Sequence, residues 1–156
     1  MGREYGKDDM VFCIFYCKKS NKNKTPLILG HLRDDNKIGF PGGHVEKHHN
    51  TIIDALKDEV KQEINFTELD EDKLEIMTTS INTRRHITTY TYELTFDEIK
   101  KIQENSIYAE HYLIENFGTF LMPITKRYMN DLLSHNFSGN SKNDLKMLIY
   151  KKGLLR

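Results

Sequence analysis

The stretch Gly39-Phe-Pro-Gly-Gly-His-Val-Glu46, leading through a short connection into Asp58-Glu59-Val60-Lys61-Gln62-Glu63-Ile64, decides how the rest of the chain is read. Adjacent glycines after a β-like run permit backbone geometry that side chains resist, so they predict a sharp turn able to bring carbonyls close to an ion. Glu59 and Glu63 stand four apart, one above the other on a predicted helix face. Like charges at that spacing repel, which calls for a compensating cation, and hard carboxylate oxygens favour Mg2+ or Mn2+. Taken alone, glutamates at 46, 59 and 63 are more often a solvated helix face. The strand and the glycines ahead of the helix tip the reading toward a metal-diphosphate site, where hydrolysis needs charge neutralisation and a positioned water.

Outward from this segment the chain alternates strand and helix signals. Residues 10–17 are β-branched and aromatic and predict a strand, followed by a polar Lys18 to Lys24 loop. Thr25 to Leu32 predicts a second strand, Asp34-Asp-Asn36 a turn, and Lys37-Ile-Gly-Phe40 a short strand entering the glycines. Ile52, Ile53, Leu56, Val60 and Ile64 follow helical spacing, with Asn50 or Thr51 as N-cap. Residues 74–80 and 86–94 predict strands, and Thr95-Phe-Asp-Glu98 has capping-box spacing ahead of another helix. A strand within Leu113 to Ile124 and two helices, around 125–134 and 141–152, complete the pattern. No repeat or low-complexity linker divides the chain, so residues 1–156 are read as one domain.

Basic and acidic residues balance at 23 each, which gives no net pull toward nucleic acid or an anionic surface. No apolar run approaches the roughly 18 residues a membrane span needs, and the N-terminus lacks a signal-peptide apolar core. Cys13 and Cys17 fall on one face of the first predicted strand and read as buried reduced thiols, hence an intracellular protein. A zinc site recruiting them with His44, His48 and His49 is a poor fit, because C-x3-C on a strand is not a knuckle.

The glycine-acid segment resembles the box of the Nudix hydrolases, which runs from a glycine through a loop glutamate to an Arg-Glu-x-x-Glu-Glu helix. Gly43 and Asp58 to Phe66 match its ends, with one more residue than usual between them. The phrase Gly-Phe-Pro-Gly-Gly-x-Val-acid is similar to the branch containing snoRNA-decapping and inosine-diphosphate-hydrolysing enzymes. Leu94 to Ile99, Ala109 to Gly118 and Asn136 through Leu155 also look like segments of that branch. The resemblance implies an α+β Nudix fold, a mixed β-sheet sandwiched between helices.

It also implies a metal-dependent pyrophosphatase that hydrolyses a nucleoside diphosphate linkage, in capped RNA or in free inosine or guanosine nucleotides. Glu59 and Glu63 would be catalytic and would hold Mg2+ or Mn2+ with Gly43, Gln62 and a late-loop acid. For that acid Glu115 ranks ahead of Glu110. Gly42 would position the diphosphate, and His31, Phe40 and His86, with Tyr90 and Tyr92, are candidate base readers, although the tyrosines are more often sheet packing. Arg84-Arg85 could meet phosphate or RNA backbone.

Three departures from the box matter. Asp58 replaces its arginine, so a partner such as Lys57 or Lys61 must orient the loop. The loop glutamate is shifted, Glu46 being nearest, with His48 and His49 at the ordinary position. Gln62 replaces a glutamate and supplies a neutral acceptor where a carboxylate would supply charge. This is either natural divergence or a Glu→Gln change made to trap a substrate. The alternative reading is therefore a catalytically weakened nucleotide- or RNA-binding module. The branch commonly forms homodimers, and the Lys/Asn-rich composition suggests an AT-rich genome, with a viral or phage protein in a host cell as one source.

Overall fold

The structure is a computed structural model, described here for residues 9–20, 24–81 and 85–155. Its strands are β1 (Met10–Cys17), β2 (Leu27–Arg33), β3 (Ile38–Gly39), β4 (Gly42–His44), β5 (Glu75–Ile81), β6 (His86–Glu93) and β7 (Asn116–Pro123). Its α-helices are α1 (Ile52–Ile64), α2 (Phe96–Asn105), α3 (Met129–Leu133) and α4 (Ser141–Lys151).

The central strand explains the layering. β1 is parallel to β6 and apolar along almost its whole length, as a strand covered on both faces must be. Its odd residues Val11, Cys13, Phe15 and Cys17 join one core with Ala55, Leu56, Val60 and Ile64 of α1 and Ile99 and Ile102 of α2. Its even residues Ile14 and Tyr16 enter a second core with Leu145, Leu148 and Ile149 of α4. Period-two alternation thus sorts one strand into two helix layers. The sheet runs β3-β2-β1-β6-β5, with β4 paired to β1 and β7 to β2. The fold class is the mixed sheet between helices that the resemblance implies, and among the described residues no helix is long and apolar enough to cross a membrane.

One edge of β1 is shared. β2 pairs with it only at Tyr16 and Cys17, while β4 takes Met10 to Phe12, and the intervening Cys13 N–H donates to the Pro41 carbonyl. The Ile38 to His44 segment therefore crosses a gap where β1 and β2 diverge, and that gap becomes the functional groove.

Local signals hold with small adjustments. Thr51 caps α1, its hydroxyl accepting the Asp54 N–H at 3.1 Å, and Asn65 ends the helix at φ +58°. Thr95 and Glu98 form the capping box. β2 begins at Leu27 rather than Thr25, since Pro26 has no N–H to give a ladder. The helix expected over 125–134 is one short turn, Met129–Leu133, because only Met129, Leu132 and Leu133 reach the core. Both cysteines are buried and free in β1, and among the described residues neither lies in a cluster of possible metal ligands.

The larger correction concerns the glycines, which form strand β4 instead of a sharp turn. Gly42 lies at φ +152°, and a Cβ there would fall 2.2 Å from the Val11 carbonyl oxygen, so close approach to β1 is what requires glycine. Gly43 faces the other way, where a Cβ would stand 2.8 Å from the carboxylate carbon of Glu59.

Candidate active site

α1 delivers Glu59 and Glu63 to the floor of a cleft of about 340 Å³, whose walls include His31, Arg33, Phe40, Gly42, Gly43 and Glu115. Glu63 is only 6% exposed, as befits a residue at the core-facing edge of the helix. Its Oε2 lies 3.5 Å from His31 Nδ1, and neither atom has a hydrogen-bond partner among the described residues. The contact is too long for a hydrogen bond and is not an ion pair in the metal-free protein. Burial and the nearby Arg33 charge hold the His31 imidazole down at about 4, so it is neutral. Burial, then hydrogen bonding and repulsion from Glu59, raises the Glu63 carboxyl well above the usual range. Glu59 is also raised, chiefly by burial, an effect that the hydrogen bond from Glu63 partly offsets.

Two adjacent carboxylates, half-buried Glu59 and buried Glu63 with one oxygen orphaned against the His31 imidazole, form a pocket of uncompensated negative charge once both ionise. The donor set is hard oxygen, and the Gly42 N–H already reaches Glu63 from the opposite wall. These residues fit a divalent cation of the Mg2+ or Mn2+ type. Glu115 lines the same cleft and is exposed, paired with His111 Nδ1 at 2.9 Å. Glu110 is exposed and does not line it. Gln62 is half-buried, its carbonyl accepting the His111 N–H at 2.9 Å, and it too is absent from the cleft walls.

Lys57, expected with Lys61 to replace the loop-orienting bridge of the missing arginine, pairs with Glu71 at 2.6 Å. Asp58 Oδ2 meets His49 Nε2 at 2.7 Å and His48 Nε2 at 3.9 Å. By spacing, His48, His49 and Asp58 could gather round an ion. His49 Nδ1, however, accepts the Glu46 N–H at 3.0 Å, so its Nε2 bears the proton and offers no lone pair to a metal.

Met10, Phe12, Arg33, Phe40 and His44 are shared with a second cavity of about 260 Å³ that continues the cleft and adds Arg85, Ile87, Asn140 and Asp144. Here the walls are aromatic and basic. Arg33 is held by Ser138 through Nη1 and by Asp35 at 3.1 Å through Nη2. Asp144, in the first turn of α4, accepts the Thr89 hydroxyl at 3.2 Å, and burial raises its carboxyl above the ordinary value.

Of the substrate-binding candidates, the structure brings His31, Phe40 and Gly42 to the groove. His86 opens β6 opposite Ile81 and lines neither cavity. Tyr90 and Tyr92 are buried packing, the Tyr92 oxygen accepting the Asp70 N–H. Arg84 lies outside the described residues, while Arg85 lines the second cavity. Sequence reasoning missed Phe12, Arg33, His44 and Asp144. Only Arg33, a lone cation beside the Asp34-Asp35 turn, carried any local signal.

Comparison with known proteins agrees with this geometry. A mutT/nudix family protein from Listeria innocua superposes with a TM-score of 0.66 at 15% identity, covering 94% of both chains. A C. elegans Ap4A hydrolase superposes at 0.61 with 14% identity, covering 93% of this chain and 97% of that one. These likenesses establish the Nudix fold. In sequence, the chain is 29% identical over 140 residues to the U8 snoRNA-decapping enzyme of Xenopus laevis, covering 83% of this chain and 66% of the relative. It is 27% identical over 129 residues to the Homalodisca vitripennis enzyme of the same name, covering 77% and 68%. The chain thus spans about two thirds of these relatives. Residues 9–155 match the family model described as Nudt16-like, U8 snoRNA-decapping enzyme-like, and the chain belongs to that family of Nudix hydrolases.

Proposed function

We propose that this protein is a metal-dependent pyrophosphatase that cleaves a nucleoside diphosphate linkage, either in capped RNA or in free inosine or guanosine nucleotides. The observation that carries the reading is the orphaned Glu63 Oε2 beside Glu59, at the end of a groove that continues into an aromatic, basic cavity. Glu59, Glu63, Glu115 and the backbone at Gly43 would hold Mg2+ or Mn2+, which when bound neutralises phosphate charge and eases formation of the nucleophile. Glu59, the more open of the two, is the group suited to take the proton of the attacking water. Arg33, anchored on two sides, is suited to a non-bridging phosphate oxygen. Phe12 offers a stacking surface for the nucleoside, backed by the buried Phe40 in the same wall. The Asp144 carboxylate, an acceptor when ionised, suits the N1–H of a 6-oxopurine and not the N1 lone pair of adenine.

The alternative of a disabled binding module is not favoured: Gln62 does not line the cleft, whereas Glu59 and Glu63 do. The test is hydrolysis of capped RNA and a panel of nucleoside di- and triphosphates with Mg2+ or Mn2+, beside Glu59→Gln and Glu63→Gln. Turnover by the parent that both variants retain sinks the assignment.

A further inference from the structure

The connection between β4 and α1 carries a built contact that the reaction itself does not use. His49 closes a turn on Glu46 twice, its own N–H donating to the Glu46 carbonyl and its Nδ1 accepting the Glu46 N–H, each at 3.0 Å. The tautomer these bonds require leaves Nε2–H to donate to Asp58 Oδ2 at 2.7 Å. The His49 side chain is 6% exposed, although Asp58 is half open and His48 stacks on the His49 ring at 4.0 Å. Asp58 immediately precedes Glu59. The turn follows β4, where Gly43 stands so close to the Glu59 carboxylate that a methyl group there would push it aside.

We propose that His49 is a positioning residue: bridging Glu46 and Asp58, it latches the β4–α1 turn onto the helix and holds Gly43 in register with the Glu59 carboxylate. The proposal rests on the hydrolase reading above for its catalytic consequence. Its physical basis is independent of that reading. A loop end tied to the helix one residue from Glu59 has little freedom to drift, and a misplacement of about 1 Å at a reacting group can cost about 10²-fold in rate. Lys57 does not substitute, since it is engaged by Glu71.

The experiment is a double-substitution cycle on the full chain, read by hydrogen exchange, Mn2+ titration and steady-state kinetics. His49→Ala and Asp58→Ala should each speed exchange in peptides spanning Gly42 to Glu46. They should also weaken Mn2+ binding and lower kcat by about 10- to 100-fold, the range for groups that orient metal ligands, with KM within about twofold. The double variant should lose no more than either single. His49→Gln, whose amide nitrogen occupies the place of Nε2, should restore most of kcat, and His49→Asn should not. Unchanged exchange in the single variants overturns the latch. Faster exchange with kcat and Mn2+ affinity unmoved overturns the positioning role. A parent chain as inactive as Glu63→Gln on every nucleotide sinks the hydrolase reading instead, and exchange with Mn2+ titration then decides the latch alone.

Discussion

The two ends of the groove are built in opposite ways. At the acid end, the two central carboxylates, Glu59 and Glu63, come from one helix four residues apart, and His31, the Gly42-Gly43 strand and Glu115 are brought up to them from elsewhere. At the aromatic end, the walls come from β1, the β2–β4 region, the start of β6 and the start of α4, segments spread from Met10 to Asp144. Helical periodicity places the Glu59–Glu63 pair with local forces alone. Sheet register and the docking of α4 place the aromatic end, so its chemistry exists only in the folded chain. The ends also differ electrostatically. Glu63 is nearly sealed from water and must be compensated to ionise, while Asp144 is half-buried and already takes a hydroxyl donor.

The contrast breaks most decisively at Glu63. Glu63→Gln should lower hydrolysis by about 10³-fold or more, equivalent to ~4 kcal/mol in the barrier. Its effect on stability should run the other way. The folded-state pKa of Glu63 is raised, so the unfolded chain releases this proton first and the metal-free protein loses stability as pH rises above the ordinary carboxyl range. The variant should therefore melt higher than the parent at neutral pH in chelator, and lose the thermal shift given by Mn2+; a parent-like response to both rejects a buried metal-binding carboxylate.

Gly43→Ala forces a methyl group onto the Glu59 carboxylate, and kcat should fall about 10²-fold with the fold retained by circular dichroism. Full activity would mean that the β4–Glu59 contact does not position the acid end.

His31 tests the same end through pH. Its folded pKa, about 4, lies below the unfolded value, so the unfolded state binds the proton first and stability is lost as pH falls from about 6.5 to about 4. The full loss is roughly 3 kcal/mol. His31→Phe should flatten this part of the metal-free stability profile, and an unchanged slope would show that His31 is not buried neutral.

The smallest effect is expected at the other end. Asp144→Asn should reduce the preference for inosine over adenosine nucleotides by about tenfold in kcat/KM, the scale of one hydrogen bond to a charged group, while leaving the Mn2+ response intact. An unchanged preference removes Asp144 from base recognition.

Much of this was legible in the chain. The strand at 10–17 and the helix from Thr51 to Ile64 follow from two periodicities and a cap, and both appear where the residues place them. Glu59 and Glu63 needed only the i,i+4 rule to share a cleft. The glycines were legible as special but not for the right reason, since what forbids a side chain at Gly42 is a carbonyl on a strand distant in sequence. Lys57 or Lys61 looked suitable to replace the missing arginine's bridge to the loop, yet Lys57 meets Glu71 and Asp58 itself meets the loop through His49, because sequence proximity says nothing about which side chain a returning loop will face. His86 looked like a base reader from its neighbours, and β-sheet register turned it away from the groove.

By itself, then, the sequence determined the elements, the acidic pair and the family resemblance, because each depends on spacings along one strand, one helix or one contiguous motif. Only the tertiary structure decided that His49 answers Asp58, that Glu63 faces a neutral His31, and that Phe12, Arg33, Phe40 and Asp144 line one groove. Those relations depend on where strands separate and helices dock, which is settled by burying the two cores on either face of β1 and leaves no mark at any single position of the chain.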